Sequence, residues 1–346
     1  MHTIARKSPA GPGRRVRLGA LCLVFAALGL PACTSIELGL GLRTRLDTVP
    51  VTAVQVALVP GPALAPGASV QLVLTAVTAD ARKLVTEGPG QGTVLYDSYS
   101  FTGSVAQVSA QGVVTLAADP RLSDGRTPHV HVAVNGHPGL VADIDIPVHY
   151  NVGYKADFSG HAGSPGFNGA DGMAGMSGSP GSLDPDAPSP GGNGSAGGDG
   201  GDGQDGGPGE DGKAVQVWVT RKPEPYLLLQ IRVASAGSEQ LFLLDPAGGT
   251  LDISANGGPG GAGGAGGRGG MGGSGGMGTP SGASGANGMD GRRGSDGGGG
   301  AAGSIAIVVD PRAQAFLDRI RLSNRSGDGA PGPAPSVSVQ AVAPLW

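Results

Sequence analysis

Aromatic side chains make up 4% of this 346-residue chain and charged ones 14%, and it has only two cysteines. So few rings and charges leave little material for one large core or for a charged catalytic cleft. Both cysteines, Cys22 and Cys33, fall in the first tenth of the chain, and Cys22 sits inside an apolar run. That excludes an intrachain disulfide framework and a cysteine-based zinc site. Of the six histidines, His129, His131, His137 and His149 form the middle group on which any metal or acid–base chemistry must draw. No glycine-rich stretch joins a strand to a helix ahead of Lys-Ser or Lys-Thr, and no nucleophile elbow, H-E-x-x-H helix or catalytic Cys–His pair is present. Enzyme is therefore the least supported class, and no cofactor is expected.

The N-terminus reads as an address. Arg6, Lys7, Arg14, Arg15 and Arg17 form a basic stretch without an acid, and Leu18 to Leu30 is an apolar run of 13. That length is short for a spanning helix and suits a secretory signal over residues 1–32. The run ends Leu30-Pro31-Ala32-Cys33, which resembles the bacterial lipobox, with Pro31 in place of the usual Ala or Ser. The resemblance implies that Cys33 is diacylated and becomes the mature N-terminus. It further implies, since Thr34 and not Asp follows, sorting to the outer membrane. The partner is then the membrane, held through lipid on Cys33. Losing the five basic residues leaves 18 Lys and Arg against 27 Asp and Glu, a net charge of −9. An acidic surface with few aromatics argues against a nucleic-acid partner.

After a tether over 33–47, the pattern turns to alternation. Val54, Val56 and Leu58 alternate with small or polar neighbours, as do Val70, Leu72, Leu74 and Ala76, and Pro60-Gly61-Pro62 and Pro66-Gly67 punctuate the runs. Short strands at this spacing predict an antiparallel β-sandwich over 48–157. Leu64 to Leu72 and Val105 to Thr115 resemble the two signature stretches of group 2 bacterial immunoglobulin-like domains, with Tyr96 or Tyr99 standing where a core Trp is usual. The resemblance implies a surface spacer or adhesion module, with other surface proteins or glycans as partners and no catalytic residues.

One constellation in this segment bears on chemistry. His129-Val130-His131-Val132 and Asp143-Ile144-Asp145-Ile146 flank a turn containing Asn135-Gly136. Pairing Val134 with Leu140 places His131 opposite Asp143 and His129 opposite Asp145, all on one face at about 5 Å. Two imidazoles and two carboxylates suit zinc; opposite-charge pairs on a solvated strand face are the plainer reading.

From Gly160 the period becomes three. Four ladders, over 160–181, 191–212, 257–278 and 282–303, each carry an unbroken series of eight glycines at every third position over 22 residues. Glycine at every third position selects the left-handed extended helix, which rises ~3.1 Å per residue and gives each ladder a length of roughly 65–70 Å. This helix makes no internal hydrogen bonds, so its amides must pair with water or with neighbouring backbones. Pro165, Pro180, Pro208 and Pro259 are the only prolines in the ladders, far below the ~15–20% of collagen. Equal lengths and the three-residue link Thr279–Ser281 favour several segments of one chain packed side by side over a collagen-type trimer, and the strict period argues against disorder. Period and composition resemble the polyglycine II bundles of an antifreeze protein, of phage tail-fibre tips and of the glycine-rich domain of Obg GTPases. The Gly-Gly-x pattern of the third ladder places it deepest.

The unit repeats: two ladders, a strand and a returning strand occur twice, with β segments over 213–256 and 304–346 completing the domain 158–346. Trp218, Leu229, Ile231, Phe242, Ile307 and Phe316 supply the apolar bulk to cap the bundle. Asp199, Asp202, Asp205 and Asp211 share one edge of the second ladder. Carboxylates three residues apart on this helix stand about 9 Å apart, too far to share a calcium ion, so the edge reads as acidic and solvated. No Thr lies within a ladder to build an ice-matching face. The chain thus reads as mainly β, with an immunoglobulin-like sandwich followed by a glycine-rich bundle. Its expected role is that of an exported, lipid-anchored structural or adhesive surface protein of the outer membrane; a metal- or glycan-binding surface module is the alternative.

Overall fold

The computed structural model describes residues 42–59, 64–223 and 226–346; the basic stretch, the apolar run and Cys33 lie outside them. The protein is mainly β, with sixteen strands and four short 3-10 turns among the described residues. No helix among these is long and apolar enough to cross a membrane. Two compact units divide the chain. The first holds Ala68–Leu116 and Thr127–Pro147 together with the described residues up to Leu64; the second holds Ala65–Gly67, Ala117–Arg126 and Val148–Trp346.

In the first unit every pairing between strands is antiparallel. One sheet contains β1 (Val51–Leu58), β2 (Ser69–Thr78), β3 (Lys83–Val85), β5 (Ala106–Val108) and β6 (Val113–Leu116); the other orders β4 (Tyr99–Ser104), β7 (His129–Val134) and β8 (Val141–Asp145). Alternation explains the burial. Leu72, Leu74 and Ala76 of β2 and Val130, Val132 and Val134 of β7 point inward, and the residues between them do not. Tyr96 and Tyr99 are both buried, and Tyr96 donates its hydroxyl to the Leu72 carbonyl at 2.7 Å.

The second unit begins earlier than the alternation suggests. Gly153–Asp157 (β9) lies within the span expected to complete the sandwich, yet it pairs in parallel with β13 (Thr250–Ser254), which pairs in turn with β15 (Ile320–Ser323). The reason is direct continuation into the first ladder, which carries β9 with it. A second sheet orders β12 (Ser238–Leu244), β11 (Leu229–Ser235), β10 (Val215–Arg221), β14 (Ile305–Val309) and β16 (Ser336–Val339). Val217, Val219, Leu229, Ile231, Leu251, Ile253 and Ile307 form one buried cluster, against which Phe242 and Phe316 pack. Trp218 faces away from it, with the Arg232 guanidinium 4.7 Å above its ring.

The ladders bond to one another. First and third run parallel, Gly160 N–H donating to Asn256 O at 2.8 Å and the same step recurring every three residues to Gly181 and Met277. Second and fourth are likewise parallel, from Gly194 and Ala283 to Gly212 and Ala301. First and second run antiparallel, as do second and third, and third and fourth; Gly198 donates to Met173, Gly267 to Gly201 and Gly291 to Gly267. In the third ladder each second-position glycine from Gly258 to Gly276 is buried, whereas the glycines of the first and second are at most half-buried.

Strands set the ladder register. β9 and β13 pair with Gly153 opposite Thr250 and then enter the first and third ladders; the second and fourth ladders exit into β10 and β14, with Val215 opposite Ile305. The same relation recurs a third time in shortened form. β15 lies parallel to β13 and β16 parallel to β14, but between them the chain makes a single ladder step, in which Gly257 donates to Arg325 and Gly327 to Gly300. The repeat is therefore threefold, its last copy cut short. Counting glycines finds only two copies because the third retains only one such step.

Candidate functional site

The register across β7 and β8 is the one read from Val134 and Leu140: His131 stands opposite Asp143 and His129 opposite Asp145. His129 places Nδ1 2.8 Å from Asp145 and Nε2 3.1 Å from Asp143, while His131 places Nδ1 2.8 Å from the same Asp143 oxygen. Both nitrogens of His129 face carboxylates, and only the doubly protonated ring donates to both. The hydrogen bond to Asp145, aided by Asp143, accordingly raises the His129 pKa, and hydrogen bonding to His131 lowers that of Asp143. The four side chains form a solvated ion-pair chain. Both imidazoles meet on one Asp143 oxygen, and among the described residues no group of three or more His, Cys, Asp and Glu is arranged to hold a metal ion.

A groove in the second unit escaped sequence reasoning. It encloses about 510 Å³ and is lined by Asp119, Arg121, Tyr154, Lys155, Glu239 and Phe242, among others. Asp119 caps a short turn by accepting from Arg121 N at 3.0 Å, and its carboxylate grips the Arg121 guanidinium at 2.7–3.0 Å, which lowers the Asp119 pKa. Tyr154 and Phe242 meet with centroids 5.5 Å apart, and the Tyr154 hydroxyl is buried without a hydrogen-bond partner. Burial pushes its pKa upward. The groove presents fixed charge beside an aromatic wall. The Asp119 and Tyr154 titrations both move away from neutrality.

The acidic residues of the second ladder are exposed, as their edge position suggests, yet they do more than face solvent. Asp199, Asp202, Asp205 and Asp211 each turn Oδ1 onto a backbone amide of the fourth ladder, at Met289, Arg292, Ser295 and Ala301, over 2.6–2.7 Å. Asn193 does the same for Ala283. Asn168 and Asp171 of the first ladder serve Ala265 and Arg268 of the third. Asn287, Asp290 and Asp296 of the fourth serve Gly272, Gly269 and Gly263. All ten stand immediately before a ladder glycine, and that position is the signal in the sequence that marks them. Each supplies an acceptor to an amide that the neighbouring backbone does not reach.

Cys33 lies outside the described residues. No protein-family model matches the sequence, and no curated protein is similar to it. Among solved structures, the crystal structure of the S-layer protein rSbsC is matched at 13% identity and a TM-score of 0.20, over 62% of this chain and 29% of that one. The chain thus spans less than a third of that protein, a likeness too distant to bear on fold or role.

Proposed function

We propose that this is an exported, lipid-anchored protein of the outer membrane whose work is structural or adhesive. Diacylated Cys33 holds it to the bilayer, and the exported chain carries an immunoglobulin-like sandwich and a polyglycine II bundle formed within one chain. The observation that carries this reading is that ladder amides donate to carbonyls of other ladders in the same chain, rung after rung, or to Asx side chains placed for them. A body built this way has its polar backbone groups satisfied without a ligand and gains stiffness from every step. Two acyl chains suffice for stable anchoring without a spanning helix.

Anchoring is tested by Cys33→Ala. The variant should lose palmitate labelling and leave the membrane fraction, while keeping the circular dichroism of the wild type. Membrane retention of the unacylated protein, with the signal removed, would overturn the reading.

A further inference from the structure

We infer that the bundle pairs with a second copy of itself through the face made by the first and second ladders. Three of the bundle's faces carry charge: Asp171 and Arg268 lie on one, Asp199, Asp202, Asp205, Asp211 and Arg292 on the next, and Asp290, Arg293 and Asp296 on the third. The remaining face consists of the second position of each triplet in the two ladders. Its only charged or titratable residues are His161 and Glu210, side by side at one end.

That face has a ridge and a trough. The ridge is the first ladder, where Phe167, Met173 and Met176 are 76%, 85% and 78% exposed. The trough is the second ladder, where Gly198, Gly201 and Gly207 leave the backbone bare, interrupted by Ser195 and Gln204 at the rungs of Met176 and Phe167. The two rows share one surface: a Cβ built at Gly207 meets Ser164 Oγ at 2.8 Å, and one at Gly198 meets Met173 N at 3.3 Å. Rungs align them side by side, Gly198 N–H donating to Met173 O and Gly201 N–H to Ala170 O. Large apolar side chains this exposed and in line, Met173 beside bare glycine, form a patch of the kind monomers seldom leave uncovered.

The geometry selects the occupant. A two-fold axis parallel to the ladders lays the ridge of each copy over the trough of the other without changing height. Met173 of one copy then sits over Gly198 of the other, and the reverse holds at the same rung, which is the self-complementarity of an isologous interface. The same operation sets His161 of each copy against Glu210 of the other, so the one charged corner is matched as well. The face is roughly 65 Å long and two hydrogen-bonded backbones, about 10 Å, wide. Some 650 Å² per copy approaches the ~800 Å² per partner of a stable interface.

Sedimentation equilibrium of the purified protein across a hundredfold range of concentration should show a reversible monomer–dimer equilibrium. Met173→Asp or Met176→Asp should weaken association at least tenfold with unchanged circular dichroism. Met289→Asp, at an equally exposed methionine of the fourth ladder (76%) on a different face, should leave it intact. A protein monomeric at all concentrations overturns the proposal, as does a dimer indifferent to Met173→Asp and Met176→Asp. Monomers that bind phosphatidylcholine vesicles through Met173 would assign the face to lipid instead. A trimer would overturn both this pairing and the single-chain bundle, whereas loss of the dimer alone leaves the bundle standing.

Discussion

Replacing Gly267 by alanine probes the buried ladder with a single methyl group. Its Cβ would lie 2.0 Å from the Ala170 carbonyl oxygen and 2.4 Å from the carbonyl carbon. Ordinary contact requires about 3.5 Å, so the first and third ladders must part by about 1.5 Å locally. That movement strains the bonds Gly169 to Ala265 and Gly172 to Arg268, each 2.8 Å, which join the two ladders on either side of the substitution. Overpacking costs about 1–3 kcal/mol, and two weakened bonds add about 1 kcal/mol each. The expected loss is ~3–5 kcal/mol, read from urea unfolding followed by circular dichroism. Gly298→Ala is the matched control. Its Cβ meets nothing within 4 Å, and its φ is not in the left-handed region. Restricting the unfolded chain should therefore stabilise it by about 0.4–1 kcal/mol. Gly201→Ala, with its nearest neighbour at 3.2 Å, should fall between them. Equal stability of the Gly267 and Gly298 variants would refute the packing argument.

Other consequences are open to measurement. Asp202→Ala strands the Arg292 amide and should lower stability by about 1 kcal/mol, whereas Asp202→Asn retains the acceptor and should stay near wild type; comparing urea midpoints decides. His129 should titrate above the ordinary histidine range by NMR, and Asp145→Asn should bring it down more than Asp143→Asn, since Asp145 is the larger cause. Because folding raises this pKa, the stabilisation is complete below about 6.5 and fades as pH rises through the folded value. Asp310 behaves in the opposite sense. It is buried, accepts from Arg312 and the Val342 amide, and has its pKa lowered to about 2 from 3.8. Its contribution is present above 3.8 and lost as pH falls toward 2, so Asp310→Asn should flatten that part of the acid-unfolding profile.

What could be read in advance follows from where each interaction writes itself. A ladder glycine is demanded by a backbone passing within contact distance, so every rung shows in the composition. Alternation in β2 and β7 is equally local, and the turn at Asn135-Gly136 fixes the His–Asp register. Partners far away in the chain are less legible. β9 resembles a last sandwich strand, and only its partner β13, some hundred residues on, shows otherwise. The ten Asx caps sit at a visible position, but the amides they serve lie in another ladder, and a carboxylate at an exposed edge looks the same whether or not it accepts one. The groove beside Tyr154 joins residues 119–121, 154–155 and 239–242, a grouping that no spacing announces.

The alignment of strand and ladder registers restricts how this chain can change. One residue inserted at Ala170 turns every later side chain of the first ladder by a third of a revolution, sending Asp171 and Ala174 into glycine places, Met173 onto the neighbouring face and a glycine out. Length can alter only in threes. A triplet added to one ladder also displaces its rungs against the neighbours, so the change must be made in all four ladders together. Such a protein grows or shrinks by whole storeys, and its stature is inherited as a discrete number.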